Sequence, residues 1–101
     1  MGDNVHIASG VSFVNHDITA LMFQYIDSDN TYKERKGPIE IGNNVFVGSN
    51  STILYDVKIG DNVIIGAGSL VNKDIPTGSV AAGVPCKVIG DFDTYKKRIA
   101  H

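Results

Sequence analysis

A six-residue repeat is the feature of this chain that most constrains its fold. Written in sixes from position 41, the sequence is IGNNVF, VGSNST, ILYDVK, IGDNVI, IGAGSL and VNKDIP. The first place of every unit is aliphatic: Ile41, Val47, Ile53, Ile59, Ile65 and Val71. The fifth place is β-branched or small: Val45, Ser51, Val57, Val63, Ser69 and Ile75. An α-helix has about 3.6 residues per turn and would scatter these side chains around its surface, so the period excludes a helix.

The period fits a short strand followed by a tight corner. Three units would close one triangular coil of eighteen residues, and stacked coils would place each aliphatic side chain over another. Glycine and asparagine near the corners, at residues 42–44 and 60–62, are typical of tight turns with positive φ. The sequence therefore predicts an all-β solenoid with an aliphatic interior.

The same period also runs backward through MGDNVH, IASGVS and FVNHDI, which predicts one coil over residues 1–18. It fails over about residues 19–38, which we interpret as an excursion loop out of the solenoid. The solenoid domain as a whole is predicted to span residues 1–90. In the tail, residues 91–101, Phe92, Tyr95 and Ile99 have helical spacing, which predicts a short helix.

Composition limits the classes of function. The chain has 101 residues, 43% of them hydrophobic and 20% charged, which is typical of one folded domain. A net charge of −2 argues against a large nucleic-acid footprint, which would need a basic face, so we expect no nucleic-acid partner. No apolar run reaches the roughly 18–20 residues of a membrane span, so we expect no membrane partner. Cys86 is the single cysteine and cannot form an intrachain disulfide, which favours a reducing, cytoplasmic location.

The segment IGAGSLVNKDIP, followed by VAAGVPCKVIG, resembles the hexapeptide-repeat acyltransferases, in the branch of galactoside, maltose and streptogramin acetyltransferases. The resemblance extends from about residue 1 to residue 90. It implies a left-handed parallel β-helix and a homotrimer with active sites between neighbouring subunits. It also implies acetyl-CoA as the co-substrate and a sugar-like hydroxyl as the acceptor.

Two residues match catalytic positions of the family. His16, in FVNHD, stands where the family has the histidine that acts as general base on the acceptor hydroxyl. Without the family match, a solvent-exposed corner histidine would be the simpler interpretation. By resemblance, the backbone N–H of Ser49 would face the thioester carbonyl and stabilise its oxyanion.

The resemblance also assigns CoA contacts. Gly66 and Ala67, like Ser49, would let the pantetheine arm approach the main chain, and plain turn geometry is an alternative reason for these small residues. Lys73 and Lys87 match positions that face the CoA phosphates, although each is equally interpretable as solvated surface. A second basic residue of many relatives is Gly90 here, which leaves open a role for the cations of the tail: Lys96, Lys97 or Arg98.

Two other hypotheses remain beside the enzyme. The chain begins inside a hexad, where relatives carry further coils, so one hypothesis is a truncated product or a fragment with an incomplete acceptor site. The alternative function is then a non-catalytic or truncated trimeric β-helix scaffold that at most binds CoA. A metal enzyme of the γ-carbonic anhydrase type needs three histidine ligands, and the histidines here are His6, His16 and the terminal His101, so we expect no metal.

Overall fold

A computed structural model describes residues 1–14, 16–17, 19–27, 31 and 35–100. These residues form short strands and two helices. The helices are α1 (Thr19–Ile26) and α2 (Phe92–Ile99). The strands are β1 (Val5–Ile7), β2 (Ser12–Val14), β3 (His16–Asp17), β4 (Arg35–Lys36), β5 (Ile39–Ile41), β6 (Val45–Val47), β7 (Thr52–Leu54), β8 (Val57–Ile59), β9 (Val63–Ile65), β10 (Leu70–Val71), β11 (Ser79–Ala82) and β12 (Lys87–Asp91).

The strands stack into the three sides of a triangular coil. Sheet A has the order β1-β6-β9-β11-β12, sheet B the order β10-β7-β2, and sheet C pairs β5 with β8. Pairing is parallel throughout these sheets except between β11 and β12. Val45 pairs with Val63 in sheet A and Ile53 with Val71 in sheet B, a step of eighteen residues. One coil therefore consists of three hexads, as the repeat predicts.

Both columns of the repeat face the interior. From Ile41 to Val71, the first-place residues are at most 6% exposed, and the fifth-place residues from Val45 to Ile75 are at most 4% exposed. The fifth column includes hydroxyl groups, which need partners when buried. The Ser69 hydroxyl donates to the Gly66 carbonyl (2.6 Å) and accepts from the Gly83 N–H (3.2 Å). Serine is therefore compatible with the aliphatic core, because the serine hydroxyl forms hydrogen bonds with the backbone at the corners.

The corners between sheet C and sheet A depend on asparagine for their backbone conformation. Asn44 and Asn62 have φ of 57° and 55°, the left-handed region that asparagine tolerates better than most residues. The neighbouring glycines do not have positive φ, contrary to the expectation from the sequence, and are required for a different reason. A Cβ on Gly42 would lie 2.7 Å from the carbonyl oxygen of Gly60 in the next coil. These glycines therefore allow close stacking of the coils.

The excursion leaves and rejoins the solenoid through a two-stranded stem. β3 pairs antiparallel with β4, joining His16 to Lys36 and Asp17 to Arg35. Helix α1 follows β3, in the segment for which the sequence predicts an excursion loop. Its Leu21, Tyr25 and Ile26 side chains are all well exposed. Among the side chains of α1 that the structure describes, none is buried, so the helix has no amphipathic pattern from which to predict it.

The C-terminal helix α2 confirms the predicted tail helix. Asp91 is its N-cap, and the carboxylate accepts from the Thr94 N–H (3.0 Å) and the Thr94 hydroxyl (3.2 Å). Cations occupy the last turn, where they interact favourably with the helix dipole: Lys96, Lys97 and Arg98. Neither α2 nor any other helix in the described ranges is long and apolar enough to cross a membrane.

Cys86 closes the last coil. Its backbone N–H donates to the Leu70 carbonyl (2.8 Å), and its side chain is buried. Burial raises the pKa of the Cys86 thiol, and a hydrogen bond with Ser69 partly offsets this effect. The thiol therefore packs as a small apolar group in its protonated form.

Candidate functional site

The first part of the candidate site is the corner where sheet A strands pass into sheet B strands, which we call the A/B corner (residues 48–50 and 66–68). Consecutive turns of this corner stack directly, and the Gly68 N–H donates to the Ser49 carbonyl (2.8 Å). A Cβ on Gly48 would lie 2.7 Å from Ala67 Cα, so no side chain fits between the two turns. Ala67 itself is exposed. The outer surface of this corner is therefore main chain and a methyl group, which a ligand can approach closely.

Ser49 carries a free donor at this corner. The residue is half-buried, and its carbonyl is already bonded to Gly68. In the part of the chain that the structure describes, the Ser49 N–H donates to no other group. Buried backbone donors are nearly always paired, so an N–H that no described group satisfies at this half-buried corner can donate to a ligand oxygen.

Lys87 lies beside the same corner. Gly66 bonds through its N–H to the Ala81 carbonyl (2.8 Å), and a Cβ on Gly66 would lie 2.9 Å from Ala82 Cβ. Ala82 pairs in turn with Lys87, the first residue of β12, whose side chain is exposed. The structure thus brings Ser49, Gly66, Ala67 and Lys87 together along one edge of the solenoid.

The other predicted residues follow the opposite end of sheet B, at the B/C corner (residues 55–56 and 72–74). Lys73 is exposed at this corner. Because Val14 pairs with Leu54 in sheet B, the stem that begins at His16 leaves the first coil at the same corner. The backbone of His16 pairs with Lys36, and its side chain lies outside the described residues.

The predicted site is therefore divided between two corners of one chain. The two corners lie at opposite ends of the sheet B strands. These strands have up to three residues per coil, so the corners are separated by about 10 Å. Neither corner alone carries all the residues expected around one acyl-CoA molecule. Among the described residues, no group of three or more His, Cys, Asp or Glu side chains could hold a metal ion.

Comparison with known proteins gives several matches. Residues 38–73 match the family model for the bacterial transferase hexapeptide (six repeats). Protein CapG of Staphylococcus aureus is 45% identical over 98% of this chain and 56% of its own length. The galactoside O-acetyltransferase of Escherichia coli (strain K12) is 43% identical over 96% of this chain and 46% of its own length. The chain thus spans about half the length of the relatives it matches.

Solved structures give the same result. A galactoside acetyltransferase in complex with coenzyme A superimposes with a TM-score of 0.79 at 43% identity, covering 94% of this chain and 46% of that one. A maltose O-acetyltransferase from Clostridium difficile 630 superimposes with a TM-score of 0.72 at 40% identity, covering 87% of this chain and 45% of that one.

These matches confirm the fold expected from the resemblance, a left-handed parallel β-helix. The repeat, the in-register coils and the two sets of relatives agree over the region that the chain spans. Residues 38–73 therefore match the hexapeptide-repeat transferase family, and the chain is similar to about half the length of a galactoside and a maltose O-acetyltransferase.

Proposed function

We propose that this chain carries the acetyl-CoA site of an O-acetyltransferase whose acceptor is the hydroxyl of a sugar-like molecule. The relatives are named as galactoside and maltose O-acetyltransferases, and one solved structure is a complex with coenzyme A. The observation that carries the proposal is the free Ser49 N–H at a corner surfaced by main chain and Ala67. Such a surface suits a thin, extended thioester arm and a developing oxyanion. We place the protein in the cytoplasm, as the single cysteine favours.

The division of the site between two corners supports assembly from more than one copy. In a cyclic trimer, each interface is heterologous, so one corner of a chain can face a different corner of its neighbour. The B/C corner of one subunit, with His16 and Lys73, would then lie opposite the A/B corner of the next, with Ser49 and Lys87. We therefore propose a homotrimer with three sites, each lined by two subunits.

In this mechanism His16 is the general base. A neutral imidazole takes the proton of the acceptor hydroxyl while the hydroxyl oxygen attacks the thioester carbonyl carbon. The carbonyl oxygen becomes an oxyanion, which accepts a hydrogen bond from the Ser49 N–H. The carbon–sulfur bond then breaks, the CoA thiolate takes the proton from the imidazolium, and His16 returns to its neutral form.

The remaining residues bind the co-substrate. Gly66 and Ala67 leave room for the pantetheine arm along the A/B corner. Lys73 and Lys87 are exposed cations that can pair with CoA phosphates as point charges. Because both are exposed, their contribution should weaken as salt screens it.

A transfer assay on a panel of sugars, combined with calorimetric titration of acetyl-CoA, tests this proposal. Since positioned general-base catalysis contributes about 10²–10⁴ in rate, His16→Ala should lose that much turnover with little change in acetyl-CoA affinity. His6→Ala is the matched control, because His6 is exposed on sheet A and its Nε2 bonds the Asn4 side chain (2.8 Å). Wild-type turnover in His16→Ala would remove His16 from the mechanism. Acetyl-CoA binding without transfer to any acceptor would favour the alternative function, a non-catalytic trimeric scaffold.

A further inference from the structure

Helix α1 exposes a contiguous group of large apolar side chains. Each of them is at least 45% exposed: Leu21, Met22, Phe23, Tyr25 and Ile26. Tyr25 is 93% exposed. Single exposed apolar residues are common on protein surfaces, whereas a contiguous group of this kind marks an interaction surface.

The apolar side chains surround more than half of the helix. Successive residues of an α-helix are about 100° apart, so the five apolar positions between Leu21 and Ile26 cover an arc of about 200°. A helix that packs on a protein surface typically has an apolar stripe of about 100°. The apolar arc of α1 is therefore wider than the face that one flat protein partner would cover.

The apolar area of α1 is also small for a protein interface. Fully burying one large apolar side chain removes about 60–120 Å² from water, so five side chains supply at most about 600 Å². A stable protein–protein interface needs about 800 Å² on each partner, and a partner on one side of α1 would reach only part of the arc. A fluid apolar layer, by contrast, surrounds all five side chains at once.

The dimensions of α1 suit the surface layer of a lipid bilayer. A helix of eight residues is about 12 Å long, less than half of the roughly 30 Å hydrocarbon core, so α1 is too short to span a membrane. Interfacial helices bury their apolar side chains about 5–10 Å deep, and this needs no spanning length. The lack of a spanning run, from which the sequence predicts no membrane partner, therefore does not exclude contact with a membrane surface.

The excursion also carries α1 away from the solenoid. The protein measures 63 × 22 × 22 Å along its principal axes. Stacked strands are about 4.8 Å apart, so the five strands of sheet A occupy only about 20 Å along the solenoid. Since α2 packs against β11 and β12, the excursion accounts for the long dimension. A projecting helix of this kind can reach a surface that the solenoid itself does not touch.

We propose that α1 inserts into the boundary between headgroups and acyl chains of a lipid bilayer and attaches the protein to a membrane surface. Leu21, Tyr25 and Ile26 enter the apolar layer, and the polar stem of β3 and β4 remains in water. The attraction is apolar, because a chain with a net charge of −2 gains no overall attraction to anionic lipids.

Vesicles of phosphatidylcholine, which has no net charge, test the proposal on the whole chain. The chain has no tryptophan, so Tyr25→Trp places a single fluorescent reporter on α1, and Tyr95→Trp places a matched reporter on α2. Added vesicles should move the emission of Tyr25→Trp to shorter wavelength and leave that of Tyr95→Trp unchanged. The wild-type chain should sediment with the vesicles.

Substitutions on α1 test whether its apolar area causes the binding. Leu21→Gln and Ile26→Gln each remove most of one apolar side chain from the inserted surface, so each should weaken vesicle binding about tenfold. Val88→Gln, at an exposed apolar residue of β12, is the matched control and should change vesicle binding less than about twofold. All three side chains are more than half exposed, so the variants should unfold at the wild-type temperature.

Three results would overturn the proposal. The first is unchanged Tyr25→Trp emission together with no sedimentation of the chain with vesicles. The second is Tyr25→Trp emission that moves to shorter wavelength without vesicles as the protein concentration rises, because a second copy of the chain would then cover α1. The third is equal vesicle binding by wild type and Leu21→Gln, which would place the contact elsewhere on the molecule.

Discussion

At the scale of single residues, side-chain amides hold successive coils together at the corners between sheets C and A. Asn4 donates through Nδ2 to the Asn44 side-chain oxygen (2.9 Å), and Asn44 donates in the same way to Asn62 (3.0 Å). Each of the three also has positive φ. Asparagine thus has two roles at these corners. It adopts the left-handed backbone conformation at low cost, and its side-chain amide forms a hydrogen bond with the next coil.

Substitution at Asn44 should separate these two contributions. Asn44→Gly keeps access to the left-handed region and loses only the amide hydrogen bonds, whereas Asn44→Ala also places a strained Cβ at φ of 57°. That strain costs about 1–2 kcal/mol, so alanine should unfold at lower urea concentration than glycine. Urea melts of the two variants beside wild type measure the order, and an alanine variant as stable as the glycine variant would contradict it.

At the scale of elements, α2 depends on its N-cap because the described part of the helix has no fully buried side chain. The Asp91 carboxylate bonds both the N–H and the hydroxyl of Thr94. A helix of eight residues is marginal in water, so a cap and contacts with sheet A have to hold it in place.

Asp91→Ala should therefore loosen α2 by about 1 kcal/mol, while Asp91→Asn should retain most of the cap, since asparagine is an equally good N-cap. Hydrogen exchange of the α2 amides measures the local opening. We expect faster exchange in the alanine variant with the β9 amides unchanged. Equal acceleration of hydrogen exchange in α2 and β9 would mean that α2 unfolds only together with the solenoid.

At the scale of the whole molecule, the repeat predicts the core because burial and sequence share the same six-residue period. All twelve first-place and fifth-place residues between Ile41 and Ile75 are buried. The period could also have revealed the divided site, since Ser49 and Ala67 are eighteen residues apart and share a corner, whereas Lys73 comes six residues later at the next one. Helix α1 could not be predicted in this way, because it does not depend on a repeating buried position.

In the proposed trimer, one chain supplies His16 and its neighbour supplies the A/B corner. Mixed refolding of His16→Ala with Ala67→Glu, whose carboxylate would block the exposed corner, tests it most directly. Each variant alone should be inactive. In randomly mixed trimers, sites that combine one intact face from each variant should restore roughly a quarter of wild-type transfer activity. Activity that stays at the level of the separate variants, with mixed trimers shown by mass, would mean that both faces come from the same chain.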